Sequence, residues 1–224
     1  MHTLLPTQDG SHTLISDRYG IPYHSRYGAV QESRHVFIKM GLYDLLLRQP
    51  PEVRILELGF GTGLNAFLTL LEADRRPELP VFFTSLEDHP VSEETARQLN
   101  YCKQLAVTDR QTDFLDLHRA PWDEQTATSP NFTLHKIAGS YLELDLPADR
   151  FDLVYYDAFA PVTQPELWTP PALARAYRAL APGGALVTYC AKGQVKRNLK
   201  SIGFKVEGVE GPPGKREMIR AVRE

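Results

Sequence analysis

Residues 53–65 read VRILELGFGTGLN: an apolar run ends in glycines at alternate positions, Gly59, Gly61 and Gly63, before a helix-forming stretch. A near-continuous apolar strand that enters a glycine bend and then a helix is the opening unit of an open α/β sheet. Ligands of such sheets bind outside the carboxyl ends of the strands. The spacing also narrows the ligand. A dinucleotide fingerprint is GxGxxG, whose third glycine lets the helix pack closely and whose helix N-terminus faces a pyrophosphate. Leu64 stands where that glycine belongs, and no Gly-Lys-Ser/Thr follows to make a Walker loop. What remains is a GxGxG bend of bare backbone, with Glu57 two residues before it. A carboxylate there repels pyrophosphate but complements the ammonium or sulfonium end of S-adenosylmethionine.

Working outward, VFFTSLE (81–87) reads as the next strand, and Glu87 closes it where an acid accepts ribose hydroxyl hydrogen bonds. Beside Asp88, Glu87 reads equally as a solvated loop acid. Further strands are FTLHKIAG (132–139), FDLVYYDAF (151–159), GALVTYCA (184–191) and a final pair around FKVEGVEG and REMIRAV. Helical patterns fall between them, at Thr62–Glu72, Ser92–Asn100, PELWTPPALARAYRAL and QVKRNLKSIG, while 101–131 is less regular. This alternation predicts an α/β fold with a mostly parallel, seven-stranded sheet covered by helices on both faces. Before it, HTLISDRYGIPYHS suggests a hairpin, and ESRHVFIKMGLYDLLLRQ a helix stopped by Pro50 and Pro51. We expect residues 1–50 to be an N-terminal extension packed on a core of 51–224.

Composition removes several classes. A chain of 224 residues, 42% hydrophobic, buries a substantial core without disulfides or metals. It has neither an 18-residue apolar run nor an export signal at the N-terminus, so a soluble, cytoplasmic protein is expected. Cys102 and Cys190 stand apart and read as buried thiols, and the seven histidines show no metal-ligand spacing, so no metal is expected. The net charge of −3 is uneven: 191–224 carries +5 and the rest −8, which leaves room for one face that meets phosphate.

ILELGFGTGLNAFLTL, YYDAFAPVTQPELW, GSHTL, YHSRYGAVQESRHVFI and GFKVEGVEGPPGKREMIRA together resemble the methyltransferase domain of the MnmC/MnmD family, across almost the whole chain. The resemblance implies a Rossmann-like class I S-adenosylmethionine-dependent methyltransferase. Its implied reaction is N-methylation of 5-aminomethyl-2-thiouridine at the tRNA wobble position, giving 5-methylaminomethyl-2-thiouridine. In some bacteria this domain is fused to an FAD-dependent oxidoreductase; this chain resembles the stand-alone form. Two departures stand out. Gln164 replaces the usual Asn, and Gly139-Ser140 replaces the Gly-Asp of many relatives.

Asp157 is the leading catalytic candidate, both from its place at a strand end and from the resemblance; its alternative is an ordinary turn acid. The expected cofactor contacts are Glu57, Gly59, Phe60, Gly61, Thr62, Gly63, Asn65, Glu87, Gly139, Ser140 and Asp157, with Tyr23 and Ser25 closing over them near Glu32. Tyr23 and Glu32 read equally as a packed aromatic and a first-turn helix acid. Phe159 and Pro161 are expected to wall a flipped base, and Trp168 to lie in the core. Lys192, Arg197, Lys215 and Arg216 are expected tRNA phosphate contacts. Two other functions fit the same residues: a small-molecule amine methyltransferase, and a cofactor-binding module without activity.

Overall fold

The computed structural model describes residues 3–224. Its centre is strand β3 (Val53–Leu58), whose side chains alternate between two apolar clusters. Val53 and Ile55 enter one cluster, on the face that carries the Leu64–Asp74 and Gln111–Arg119 helices; Leu56 and Leu58 enter the other, with the Pro170–Ala179 and Gly193–Ser201 helices. A strand covered on both faces needs apolar residues at every position, which is why the run is nearly unbroken.

The other strands are β1 (Thr3–Pro6), β2 (His12–Ile15), β4 (Val81–Glu87), β5 (Gln125–Ser129), β6 (Phe132–Ala138), β7 (Phe151–Tyr156), β8 (Leu180–Thr188), β9 (Phe204–Glu210) and β10 (Glu217–Arg223). The main sheet has eight strands in the order β5-β6-β4-β3-β7-β8-β10-β9. Strands β6, β4, β3, β7 and β8 run parallel to their neighbours among these five, whereas β5, β10 and β9 are antiparallel. The expected seven strands are therefore present with an eighth, β5, added at the edge. It lies inside the stretch read as irregular. Its QTATS sequence is polar and only half-buried, so it carries no apolar signature.

The N-terminal hairpin also differs from expectation. β2 pairs with β1, through Thr3↔Ile15 to Pro6↔His12, rather than within 12–25, where a single Ile15↔Pro22 bridge forms. A continuous helix spans 29–46, π-helical over Arg34–Leu42. Its Phe37, 1% exposed, packs on Tyr155 of β7 with ring centroids 5.0 Å apart. Leu14, Ala29, Val36 and Phe37 share one apolar cluster with Ile55, Phe67 and Val187, so the first fifty residues and the sheet bury a common core.

Because Phe37 joins that helix to the central strands, Phe37→Ala is expected to destabilise the protein by about 3–5 kcal/mol in urea unfolding, the usual range for a buried phenylalanine. A loss below about 1 kcal/mol would show that the helix packs independently of the sheet.

Candidate active site

The sheet order reverses at β3: the chain continues to β4 and β6 on one side and to β7 and β8 on the other. A crevice opens at this switch point, as in other open α/β sheets. Its lining comes from four strand ends: Gly59–Thr62, Leu64 and Asn65 after β3, Glu87–His89 after β4, Gly139–Leu142 after β6 and Asp157–Phe159 after β7. Ser16, Arg18, Tyr19, Tyr23 and His24 from the N-terminal segment roof it.

The floor is the glycine bend. Gly61 has φ +51°, and a Cβ there would sit 3.2 Å from the Tyr23 ring. Gly63 has φ +73° and starts the Leu64–Asp74 helix in the left-handed region; a Cβ there would lie 2.8 Å from His118 Nε2. Both positions therefore demand glycine on conformational and steric grounds. The bend is held from outside. Gly61 N–H donates to Glu87 Oε2 at 2.9 Å, Thr62 Oγ1 accepts from the Tyr101 hydroxyl at 3.0 Å, and Thr62 O accepts from His118 Nε2 at 3.1 Å. Phe60, 3% exposed, packs edge-on against His118 and Trp122.

Glu57 lies beneath this floor and is absent from the crevice lining. It is fully buried in β3 and its Oε2 accepts from the Ser85 hydroxyl at 2.5 Å. The reason is register: Ser85 is its direct neighbour on β4, and both point into the interior. Burial pushes the Glu57 carboxyl well above the usual range, with Asp157 and Glu87 adding to the rise and Ser85 opposing it. Its place in the interior does not match the exposed negative charge expected from sequence.

Glu87 does face the crevice, but its oxygens already accept from Gly61 N–H and from His89 N–H at 2.8 Å. Each carboxylate oxygen has a second lone pair to offer a ligand. Asp157 has part of its surface open to the crevice, and its Oδ2 accepts from Asn65 Nδ2 at 2.8 Å. Burial pushes Asp157 up to about 8; Glu32 adds to the rise, while the Asn65 hydrogen bond and Lys215 oppose it. The other Asn65 side-chain atom, Oδ1, is buried and has no partner among the described residues.

Phe159 lies at the crevice mouth with Tyr19 and Tyr23, at ring-centroid distances of 5.0 and 5.2 Å. Gln164 binds this corner together: its Oε1 accepts from Phe159 N–H and its Nε2 donates to the Tyr19 hydroxyl, both at 2.9 Å. Trp168 is buried and donates its indole N–H to Phe159 O at 2.8 Å. Arg18 closes the far side of the roof on Asp88 at 3.1 Å. Pro161, Ser25 and Gly63 do not line the crevice; Ser25 instead donates its N–H to Glu32 Oε2 at 2.9 Å, and Gly63 faces His118.

Lys192, Lys215 and Arg216 border a neighbouring groove with Ala160 and Tyr189. Arg197 stands outside it, on the exposed side of its helix, bonded to Gln194 Oε1 at 2.7 Å. Arg18, Tyr19 and Tyr189 carried no signal in the sequence reading, because nothing local places a loop residue over a strand end far away in the chain.

The donors and acceptors suit S-adenosylmethionine: an unpartnered amide oxygen at Asn65 for an ammonium group, a carboxylate at Glu87 for hydroxyls, and the Ser140 hydroxyl and Gly139–Leu142 backbone for a heteroaromatic ring. No phosphate-binding cation lies on the glycine bend.

Asp157 also has a consequence for stability. Its carboxyl holds a proton in the folded state up to about pH 8, whereas the unfolded chain loses it near pH 3.8. Between those values the native state binds more protons, so Asp157 subtracts stability as pH rises. Asp157→Asn is therefore expected to be more stable than wild type by about 1 kcal/mol or more at pH 8, with the gap closing below about pH 4. Equal stabilities at pH 8 in urea titrations would contradict the buried assignment.

Comparison with known proteins agrees with this architecture. Residues 122–224 match a family described as S-adenosyl-L-methionine-dependent methyltransferases. The chain is 34% identical over 221 residues to the tRNA 5-methylaminomethyl-2-thiouridine biosynthesis bifunctional protein MnmC of Delftia acidovorans, covering 94% of this chain and 33% of that protein. The MnmC of Stutzerimonas stutzeri is 32% identical, covering 92% and 32%. The chain thus spans about a third of the length of these curated relatives. Among solved structures, MNMC2 from Aquifex aeolicus superposes with a TM-score of 0.78 at 27% identity, covering 100% of this chain and 70% of that one. S-adenosylmethionine-bound CalS10, an amino pentose methyltransferase from Micromonospora echinaspora, shares the fold at a TM-score of 0.53 and 17% identity. With its strand order, glycine bend and these similarities, the chain belongs to the MnmC/MnmD family of S-adenosylmethionine-dependent methyltransferases.

Proposed function

We propose that the protein transfers the methyl group of S-adenosylmethionine to the primary amine of 5-aminomethyl-2-thiouridine at the wobble position of tRNA, yielding 5-methylaminomethyl-2-thiouridine, in the cytoplasm. The observation that carries this reading is the partly buried Asp157 carboxyl at the crevice, fixed by Asn65 and bordered by Tyr19, Tyr23 and Phe159. The similarity to MnmC supports the choice of substrate.

When bound, S-adenosylmethionine supplies an electrophilic methyl carbon on a sulfonium centre. The chain's residues must present a neutral amine to it. A simple alkylamine resembles lysine, with a pKa of about 10.4, and is mostly protonated at neutral pH. In its ionised form Asp157 accepts a hydrogen bond from the ammonium and orients it; with its carboxyl pushed up to about 8, that form takes one of the ammonium protons more readily than an ordinary carboxylate would. The nitrogen lone pair is then free to attack, and the secondary ammonium that results keeps its two remaining protons near neutrality. Orientation is a large part of the effect, worth about 7–11 kcal/mol when reacting atoms are held in line. Asn65 locks the Asp157 carboxyl, and Gln164 with Trp168 locks the loop that bears Phe159. The three aromatic rings offer apolar faces to a base turned out of its stack, and Lys192 and Arg216 beside the crevice face the RNA backbone.

Incubation with labelled S-adenosylmethionine and tRNA from a strain lacking the modification is expected to place label in the wobble nucleoside. Label only in small amines, or no transfer despite cofactor binding, would contradict the proposal. Asp157→Ala is expected to lower kcat about 10²–10⁴-fold while cofactor affinity changes only a few-fold, as for loss of a proton acceptor. Glu87→Ala is expected to weaken cofactor binding about ten-fold or more in calorimetry, the worth of a hydrogen bond to a charged group.

A further inference from the structure

Asp157 has two charged neighbours brought together from opposite ends of the chain. Lys215 Nζ lies 2.6 Å from Glu32 Oε1 and 4.0 Å from the centroid of the Tyr189 ring. Glu32 is 8% exposed, and its other oxygen accepts from Ser25 N–H at 2.9 Å. Tyr189 in turn donates its hydroxyl to Ala158 O at 2.9 Å, the carbonyl next to Asp157. A chain of contacts thus runs from the 29–33 helical turn through the Gly211–Arg216 loop to the backbone that carries the candidate proton acceptor. A surface ion pair contributes little, but breaking a buried one leaves an uncompensated charge.

Resting on the proposed function above, we propose that Glu32 and Lys215 are a positioning pair for Asp157. Their ion pair fixes the Asp157 loop through Tyr189, and their two opposite charges set the range in which Asp157 gives up its proton. Lys215 is accordingly a structural cation of the active site, and the tRNA phosphates fall to Lys192 and Arg216.

The electrostatics support the geometry. The charged or titratable groups facing Asp157 are Glu57 from β3, Glu32 from the helix, Lys215 from the C-terminal loop and Tyr189 after β8. Burial pushes Tyr189 well above its ordinary value, so it is neutral near pH 7, and pushes Glu57 up as well. Glu32 and Lys215 act on Asp157 with opposite sign, Glu32 raising it and Lys215 lowering it.

The test is a carbon-13 NMR titration of the Asp157 carboxyl, assigned with Asp157→Asn, in the full chain without substrate. Lys215→Met is expected to raise the Asp157 midpoint by about one pH unit, and Glu32→Gln to lower it by a similar amount, as for loss of a nearby charge. The double variant is expected to return close to wild type. Mere loosening of the loop would let water in and move both single variants downward, towards the ordinary carboxylate value. Shifts of the same sign, or none, would overturn the proposal. Should Lys215→Met not fold, Lys215→Gln removes the same charge and carries the same expectation, while Lys215→Arg is expected to keep the wild-type midpoint. The acid limb of kcat for tRNA methylation is expected to follow these midpoints. Since the titration needs no tRNA, opposite shifts in a protein that does not methylate tRNA would sink the substrate assignment and leave the pair standing.

Discussion

The structure depends on a steric constraint at one bend. Between β3 and the Leu64–Asp74 helix the backbone must turn with left-handed φ at Gly61 and Gly63 and must pass beneath the Tyr23 ring and beside His118. Only residues without a Cβ meet both conditions. Once the bend is laid down, Glu87 is drawn to it by Gly61 N–H, the helix brings Asn65 to Asp157, and the roof residues gain a surface to close on. The crevice is the space that this bend keeps open.

A second theme is the separation of acidic groups by environment. Glu57 within β3, Glu87 at the end of β4 and Asp157 after β7 sit on adjacent strands, yet their surroundings differ. Glu57 is sealed in the interior against Ser85 and pushed up by burial; Glu87 accepts from two backbone N–H groups; Asp157 is also pushed up but lines the crevice. Burial disfavours charge, so the two buried carboxyls, Glu57 and Asp157, are both raised, and the hydrogen bonds each accepts oppose that rise. The ion pair of Glu32 with Lys215 lies beside the one that opens on the crevice.

Much of this was legible in the sequence, and the reasons are local. The buried strands announced themselves by continuous apolar runs, and the bend by alternate glycines that fit no pyrophosphate fingerprint. Asp157 and Glu87 could be placed because strand ends share one side of an open sheet. Other features left no local trace. β5 is polar and lies at an edge, and β1 is a four-residue strand ending in Pro6. The inward direction of Glu57 follows from strand alternation, a signal that was present but outweighed by its position before the glycines. The Glu32–Lys215 contact joins residues 183 positions apart, and the roof formed by Arg18 and Tyr19 depends on a loop path that no periodicity encodes. The Gln164 departure from the family pattern acquired a meaning only with its two partners, Phe159 N–H and the Tyr19 hydroxyl.

The central claim is that the crevice over the glycine bend holds a sulfonium methyl donor and aims it past Asp157. A crystal structure with S-adenosylhomocysteine tests it most directly. The account predicts the amino-acid end at Asn65, the ribose at Glu87, the ring against Gly139–Leu142, and the sulfur facing Asp157. A ligand seated elsewhere, or a diphosphate-bearing cofactor held on the bend in its place, would contradict it.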